Sequence, residues 1–233
     1  PQGVREAVRY AADRVLDVFL TEAARDRHSG IWEEARAAGL YVHLASERVM
    51  AAMSADSQGV LAVVAMDEAA GPGALAAALS GAMLVVVLTE AQDPGNVGAI
   101  IRAADAAGAD AVVLLRGSVD ATSPKVVRSS AGSLFHLPVV TGVTFDDAVA
   151  ALHEADLAVV AADSRGALDL FDADAVLEGP IAWLLGNEAR GLPPEALSRA
   201  DAVISIPVRG RAESLNVAAA AAVCLYATAR AQR

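Results

Sequence analysis

The chain has 233 residues, of which 55% are hydrophobic and only 4% aromatic, and a formal charge of −11. That length suits one large or two small domains with a sizeable core, and the acidic balance excludes a protein coated with positive charge for nonspecific nucleic-acid binding. The single cysteine, Cys224, cannot form an internal disulfide; on the apolar face of the last predicted helix it reads as a small buried hydrophobe in a reducing, cytoplasmic setting.

The chain opens at Pro1 without a Met, which leaves room for an upstream strand, and no signal-peptide pattern begins it. Apolar spacing predicts an amphipathic helix over 4–14, a strand over 16–20 ending at Thr21, a helix over 30–38 and a strand over 40–44. A helix capped by Ser46 follows, then a fully buried strand over 60–66. Residues 1–68 thus form a small α/β module. The span 69–89 carries no charge and is long enough to raise the membrane question. Gly71-Pro72-Gly73 and Ser80-Gly81 break it, so it reads as a linker over 69–80 with a short helix, followed by a strand.

From there strands at 83–88, 111–115, 157–161, 181–185 and 202–206 alternate with helices at 97–107, 123–130, 145–153, 193–198 and 215–229. Continuous apolar strands between helices predict an α/β fold with a parallel sheet covered on both faces. Ligands then belong outside the C-terminal strand ends. No cluster of His, Cys and carboxylates has metal-ligand spacing, so no metal is expected. No G-x-G-x-x-G follows an early strand, which counts against a dinucleotide-dependent oxidoreductase.

Three loops leave predicted strand ends with chemistry in them. In the first, Asp93-Pro94-Gly95 is a turn, Asn96 is placed to cap the next helix, and Arg102 lies in that helix's second turn, aimed back at the loop. A guanidinium stays protonated, so Arg102 is suited to grip a phosphate or a developing alkoxide. In the second, Gly186 and Gly191 allow tight backbone paths around Asn187 and Glu188 before Pro193 starts a helix. The third runs through Ile206, Pro207, Arg209, Gly210 and Arg211 to Ser214, read as the cap of an Ala-rich helix. Its two cations sit beside helix N–H groups, a natural place for an anion or a nucleotide.

Asn96, Gly98, Arg102 and Ala103 match N-x-G-x-x-x-R-x-A. Gly186, Glu188, Gly191 and Leu192 match G-x-E-x-x-G-L. Ile206-Pro207, Gly210 and Ser214-Leu215-Asn216-Val217 match I-P-M-x-G-x-x-x-S-L-N-V, with Val208 in place of Met. Residues 83–233 therefore resemble the SpoU/TrmH family of RNA 2′-O-ribose methyltransferases. The resemblance implies a deep C-terminal trefoil knot, a homodimer joined near the active site through the last helix, and S-adenosylmethionine as methyl donor. The implied donor contacts are Leu185, Gly186, Asn187, Gly191, Ile206, Pro207, Leu215 and Val217; Asn96, Arg102, Glu188, Ser214 and Asn216 would line the catalytic side. Arg128, Ser129, Arg190, Arg209 and Arg211 would face RNA. His136, beside Phe135 and Leu137, reads as a packed residue. By position, residues 1–68 match the small RNA-binding domain that many members carry. The implied substrate is structured RNA, large-subunit (23S) ribosomal RNA first and transfer RNA second. The alternative from another class is a noncatalytic RNA-binding protein on the same fold.

Overall fold

The computed structural model describes residues 1–65, 70–187 and 189–233. Met66, at the end of the strand expected over 60–66, and Ala69, at the start of the expected linker, lie outside the described residues. The chain divides into two compact units, residues 1–67 with 131–136, and residues 68–130 with 137–233.

In chain order the first unit holds α1 (Gln2–Tyr10), β1 (Val15–Leu20), α2 (Glu22–Arg27), α3 (Ser29–Ala37), β2 (Tyr41–Leu44), α4 (Glu47–Met53) and β3 (Val60–Val64). The helix expected over 4–14 stops at Tyr10, and a 3-10 turn at Ala12–Arg14 replaces its end. Thr21 and Ser46 cap α2 and α4, their hydroxyls accepting from Ala24 N and Val49 N. The sheet order is β2-β1-β3, parallel on one side of β1 and antiparallel on the other. Val15, Val18 and Leu20 of β1 point into a core shared with Ala7, Val8, Ile31, Ala35 and Phe135. β3 was expected to be fully buried, yet only Val60 is. Tyr41 and Val63 stay exposed, both paired across the sheet with Asp17, so this sheet alternates as one with a single covered face does. His136 packs as expected, its ring edge-on to Tyr10 and its Nε2 3.3 Å from Glu6 Oε2.

The second unit continues with α5 (Gly71–Leu79), β4 (Leu84–Leu88), α6 (Pro94–Ala107), β5 (Ala111–Leu115), α7 (Pro124–Ser129), β6 (Val139–Val143), α8 (Phe145–Glu154), β7 (Ala158–Ala162), β8 (Leu168–Asp169), α9 (Asp174–Leu177), β9 (Ile181–Leu185), α10 (Pro194–Ser198), β10 (Ala202–Ser205) and α11 (Val217–Ala231). Within the stretch read as linker, α5 is an ordered helix whose Leu75 and Leu79 are buried in the unit's core. Every residue of β4, β5 and β9 is buried, the pattern of parallel strands covered on both faces. The seven strands run in the order β6-β5-β4-β9-β7-β10-β8, with parallel pairing among the described residues.

One consequence of that order matters for the site. β9 inserts between β4 and β7, so the C-terminal ends of β4, β9, β7 and β10 stand side by side, and the loops that leave them converge. The last helix closes the unit from behind. Its Ala221, Cys224, Leu225 and Thr228 are buried, and Trp183 Nε1 on β9 donates to Thr228 Oγ1 at 2.9 Å. The apolar face of α11, expected to serve a dimer, is thus used within the unit itself.

Candidate active site

The first loop is fixed before α6 begins. Thr89 Oγ1 donates to the Leu185 carbonyl at 3.1 Å, and Ala91 N donates to Ser118 Oγ at 3.1 Å. The cap of α6 is Asp93 rather than Asn96: its Oδ1 accepts from Gly95 N at 2.6 Å and Asn96 N at 3.0 Å, and these N–H groups hold its carboxyl below the usual carboxylate range. Freed from capping, Asn96 presents its side chain to the third loop. Gly98 has a packing reason: a Cβ there would collide with Ser129 and lie 2.7 Å from the Val126 carbonyl oxygen, so α6 and α7 touch backbone to side chain. Arg102 is exposed and makes no hydrogen bond or ion pair among the described residues.

The second loop folds over Asn187. Its backbone bridges Gly191, while its side chain donates to the Glu90 carbonyl at 2.8 Å and accepts from Ala189 N and Arg190 N. One buried amide thereby joins the first two loops. Gly186 carries no side chain because a Cβ would meet the backbone of Gly191 and Leu192. Glu188, expected on the catalytic side, lies outside the described residues.

In the third loop the cap of α11 is Asn216, not Ser214: Asn216 Oδ1 accepts from Ala218 N at 2.9 Å and Ala219 N at 3.4 Å. Asn216 Nδ2 also donates to Asn96 Oδ1 at 3.1 Å, joining side chains 120 positions apart in the chain. Arg209 and Arg211 are exposed and make no hydrogen bond or ion pair among the described residues.

Between the second and third loops lies a cavity of about 310 Å³. Of the implied donor contacts, Leu185, Gly186, Asn187, Gly191, Ile206, Leu215 and Val217 line it and Pro207 does not; Ser214, read for the catalytic side, lines it as well. Further lining residues lay outside the sequence-based set, among them Ala162, Asp163 and Ser164 at the end of β7, and Glu213. The signal for the first three was available, since β7 ends there and its C-terminal end faces the same side as the others. Arg165 Nε binds Asp163 Oδ1 at 2.7 Å and keeps that carboxyl ionised to lower pH, while Arg165 Nη2 reaches the Leu192 carbonyl at 3.3 Å. The turn after β7 is thereby tied to the second loop.

Residues 83–226 match the SpoU rRNA Methylase family. The chain belongs to that family. It is 31% identical over 237 residues to the 23S rRNA (guanosine-2′-O-)-methyltransferase RlmB of Bordetella pertussis, an alignment covering 96% of this chain and 92% of the relative. It is 41% identical over 138 residues to the 23S rRNA (uridine(2479)-2′-O)-methyltransferase of Streptomyces viridochromogenes, covering 57% of this chain and about half (47%) of that protein. Among solved structures, the SpoU methyltransferase AviRb of the same organism, in complex with the cofactor AdoMet, superposes with a TM-score of 0.81 at 29% identity. That match covers 98% of this chain and 88% of the other. The α/β fold of the second unit, with its parallel seven-stranded sheet, is therefore that of a SpoU methyltransferase.

The residues present fit the methyl donor that such structures hold. Leu185, Ile206, Leu215 and Val217 would offer apolar surface to an adenine ring, Gly186 brings bare backbone close, and the Glu213 carboxylate, with Asp163 already paired to Arg165, lines the same cavity as suits a cationic ligand. Among the residues expected to face RNA, Arg128, Arg209 and Arg211 are exposed, while Arg190 pairs with Glu90 at 2.6 Å. Ser129 is a correction. It is half-buried, and its hydroxyl sits 2.7 Å from the Lys125 carbonyl and 3.0 Å from that of Pro94, so it fastens α7 to α6 instead. No group of three or more metal-ligating side chains occurs among the described residues, and no described helix is long and apolar enough to cross a membrane.

Proposed function

We propose that this chain transfers the methyl group of S-adenosylmethionine to a ribose 2′-hydroxyl of structured RNA, with 23S ribosomal RNA as the substrate. The observation that carries this reading is the 3.1 Å hydrogen bond between Asn216 and Asn96, which joins the first and third loops beside the cavity between the second and third loops. When bound, the donor supplies an electrophilic methyl group on a positively charged sulfur. The protein's part is mostly placement: holding oxygen, carbon and sulfur in line supplies roughly 7–11 kcal/mol of the barrier.

Arg102 takes the role that its exposure, and its lack of hydrogen-bond and ion-pair partners among the described residues, allow. Its guanidinium binds the phosphate beside the target ribose or the alkoxide as charge develops on the 2′-oxygen. Asn96 and Asn216 hold one another's amides in fixed orientation at the same place, and Ser214 adds a hydroxyl on the cavity wall. Glu188 completes the set by its place in the second loop. The exposed Arg128, Arg209 and Arg211 supply local positive charge on an acidic body, and the first unit adds grip on the RNA.

Three finer readings accompany this one. The polypeptide from β9 to α11 threads a trefoil knot, supported by β10 pairing with β7 and β8 before α11 returns to pack on α6; a traced experimental chain that pulls straight from both ends would contradict it. The protein works as a cytoplasmic homodimer through what α11 leaves exposed, Tyr226 included; a monomer mass in sedimentation at working concentration would exclude that. RNA choice is tested by incubating the protein with methyl-tritiated donor and either 23S ribosomal RNA or transfer RNA. Label is expected in the former, and label in neither would overturn the reading.

A further inference from the structure

A second cavity, of about 530 Å³, opens on the other side of the Asn187–Gly191 turn from the donor pocket, over the ends of β4 and β5 and the start of α8. Its volume suits a ligand the size of a nucleotide, in a range of roughly 300–1,000 Å³ for small-molecule sites. Most of the charge on its wall is already paired: Arg190 binds Glu90, and Asp146 binds Arg199 of α10's C-terminal end. What remains is one cation and one anion. Both are exposed: Arg116 gives its Nε to the Gly142 carbonyl at 2.9 Å, and neither its terminal amino groups nor the Glu195 carboxylate makes a hydrogen bond or ion pair among the described residues. Phe145, half-buried against the core with the Arg199 guanidinium over its ring at 5.3 Å from the centroid, adds the remaining aromatic surface to the same wall.

A bare phosphate site would not place an unpaired carboxylate in the cavity. A nucleotide needs all three groups. The phosphate takes the guanidinium, an unstacked base lies on the aromatic ring, and the carboxylate, which only accepts, takes N–H donors from the base edge. Guanine alone among the RNA bases presents two adjacent donors, N1–H and N2–H, on its Watson–Crick edge. Adenine sets an acceptor beside its one amino group, and uracil flanks its N3–H with two carbonyls. We propose that this cavity holds one unstacked guanosine nucleotide of the RNA substrate, with Arg116 on its phosphate and Glu195 on its base. The inference rests on the RNA methyltransferase reading, because the shared Asn187 turn puts the nucleotide next to the donor.

The test uses the full chain saturated with S-adenosylhomocysteine, so that an added adenine nucleotide cannot enter the donor pocket. Guanosine 5′-monophosphate and adenosine 5′-monophosphate are titrated separately and followed by amide chemical shifts. The guanine nucleotide should move the amides around Arg116 and Glu195 and bind roughly tenfold tighter than the adenine one. Glu195→Gln should remove most of that preference, Arg116→Gln should weaken both nucleotides, and neither should alter S-adenosylhomocysteine affinity. Equal affinity for both nucleotides, shifts elsewhere, or no shifts up to roughly 10 mM would overturn the proposal. Such failure alongside methylated ribosomal RNA condemns only the cavity; guanine-selective binding without RNA methylation condemns the enzymatic reading instead.

Discussion

The loop after β4 and the loop after β10 face the same site, yet they are built in opposite ways. The first is anchored at Thr89, Ala91 and Asp93, and the helix it leads into is pressed against α7 at Gly98. The second runs exposed from Arg209 to Asn216, and the side-chain tie described for it is the one from Asn216 to Asn96. The difference teaches a division of labour. The loop that carries Asn96 is held by packing and hydrogen bonds of its own, whereas the loop from Arg209 to Asn216 is exposed and tied to it through Asn216.

The sharpest break in this comparison is Arg102→Ala. The residue takes no part in the packing that fixes its loop, so the protein should fold and bind donor normally while turnover falls by roughly 10²–10³-fold. Calorimetry with the donor and single-turnover methylation measure the two effects, and an active variant would remove Arg102 from the mechanism. Gly98→Ala attacks the packed side. The added methyl must displace Ser129 or the Val126 carbonyl, and overpacking of this kind costs about 1–3 kcal/mol, read as a lower melting temperature. An unchanged melting point would show that α6 and α7 can part freely.

Asn216→Ala is the matching cut on the open side. Loss of the cap costs about 1 kcal/mol, and loss of the bond to Asn96 should lower turnover more than it lowers stability. A change in stability alone would reduce Asn216 to a cap. The smallest effects concern pH. Backbone N–H groups depress the Asp93 carboxyl, so its contribution is present above the ordinary carboxylate range and is lost as pH falls through the folded value. Burial pushes the Cys224 thiol up to about 12, so the folded state keeps it neutral and loses ground as pH rises from roughly 8.5 towards that value. Iodoacetamide at mild alkaline pH should leave Cys224 unmodified in the folded protein and label it once denatured; labelling of the folded chain would show that α11 detaches.

The strands that hold the site were legible because they are buried on both faces. The readings at 111–115 and 181–185 match β5 and β9 residue for residue, and those at 83–88, 157–161 and 202–206 miss by one residue at an end or in register. Edge pieces were harder. β6 carries Thr141 and Gly142 within its apolar run, and α2, with sequence EAARDR, has no apolar face to reveal it despite its Thr21 cap. The caps at Asp93 and Asn216 were misplaced onto Asn96 and Ser214. Each loop holds more than one residue able to cap, and the path of the loop decides between them. Asp163 and Ser164 were missed for another reason. No motif marks them, and only the insertion of β9 between β4 and β7 brings the end of β7 to the donor pocket.

The most direct test of the central claim is the position of the transferred methyl. RNA labelled by this protein, digested to nucleosides and resolved by mass spectrometry, should carry the added methyl on a ribose 2′-oxygen. A methyl found on a base would contradict the account, because Arg102, Asn96 and Asn216 would then be gathered around the wrong oxygen.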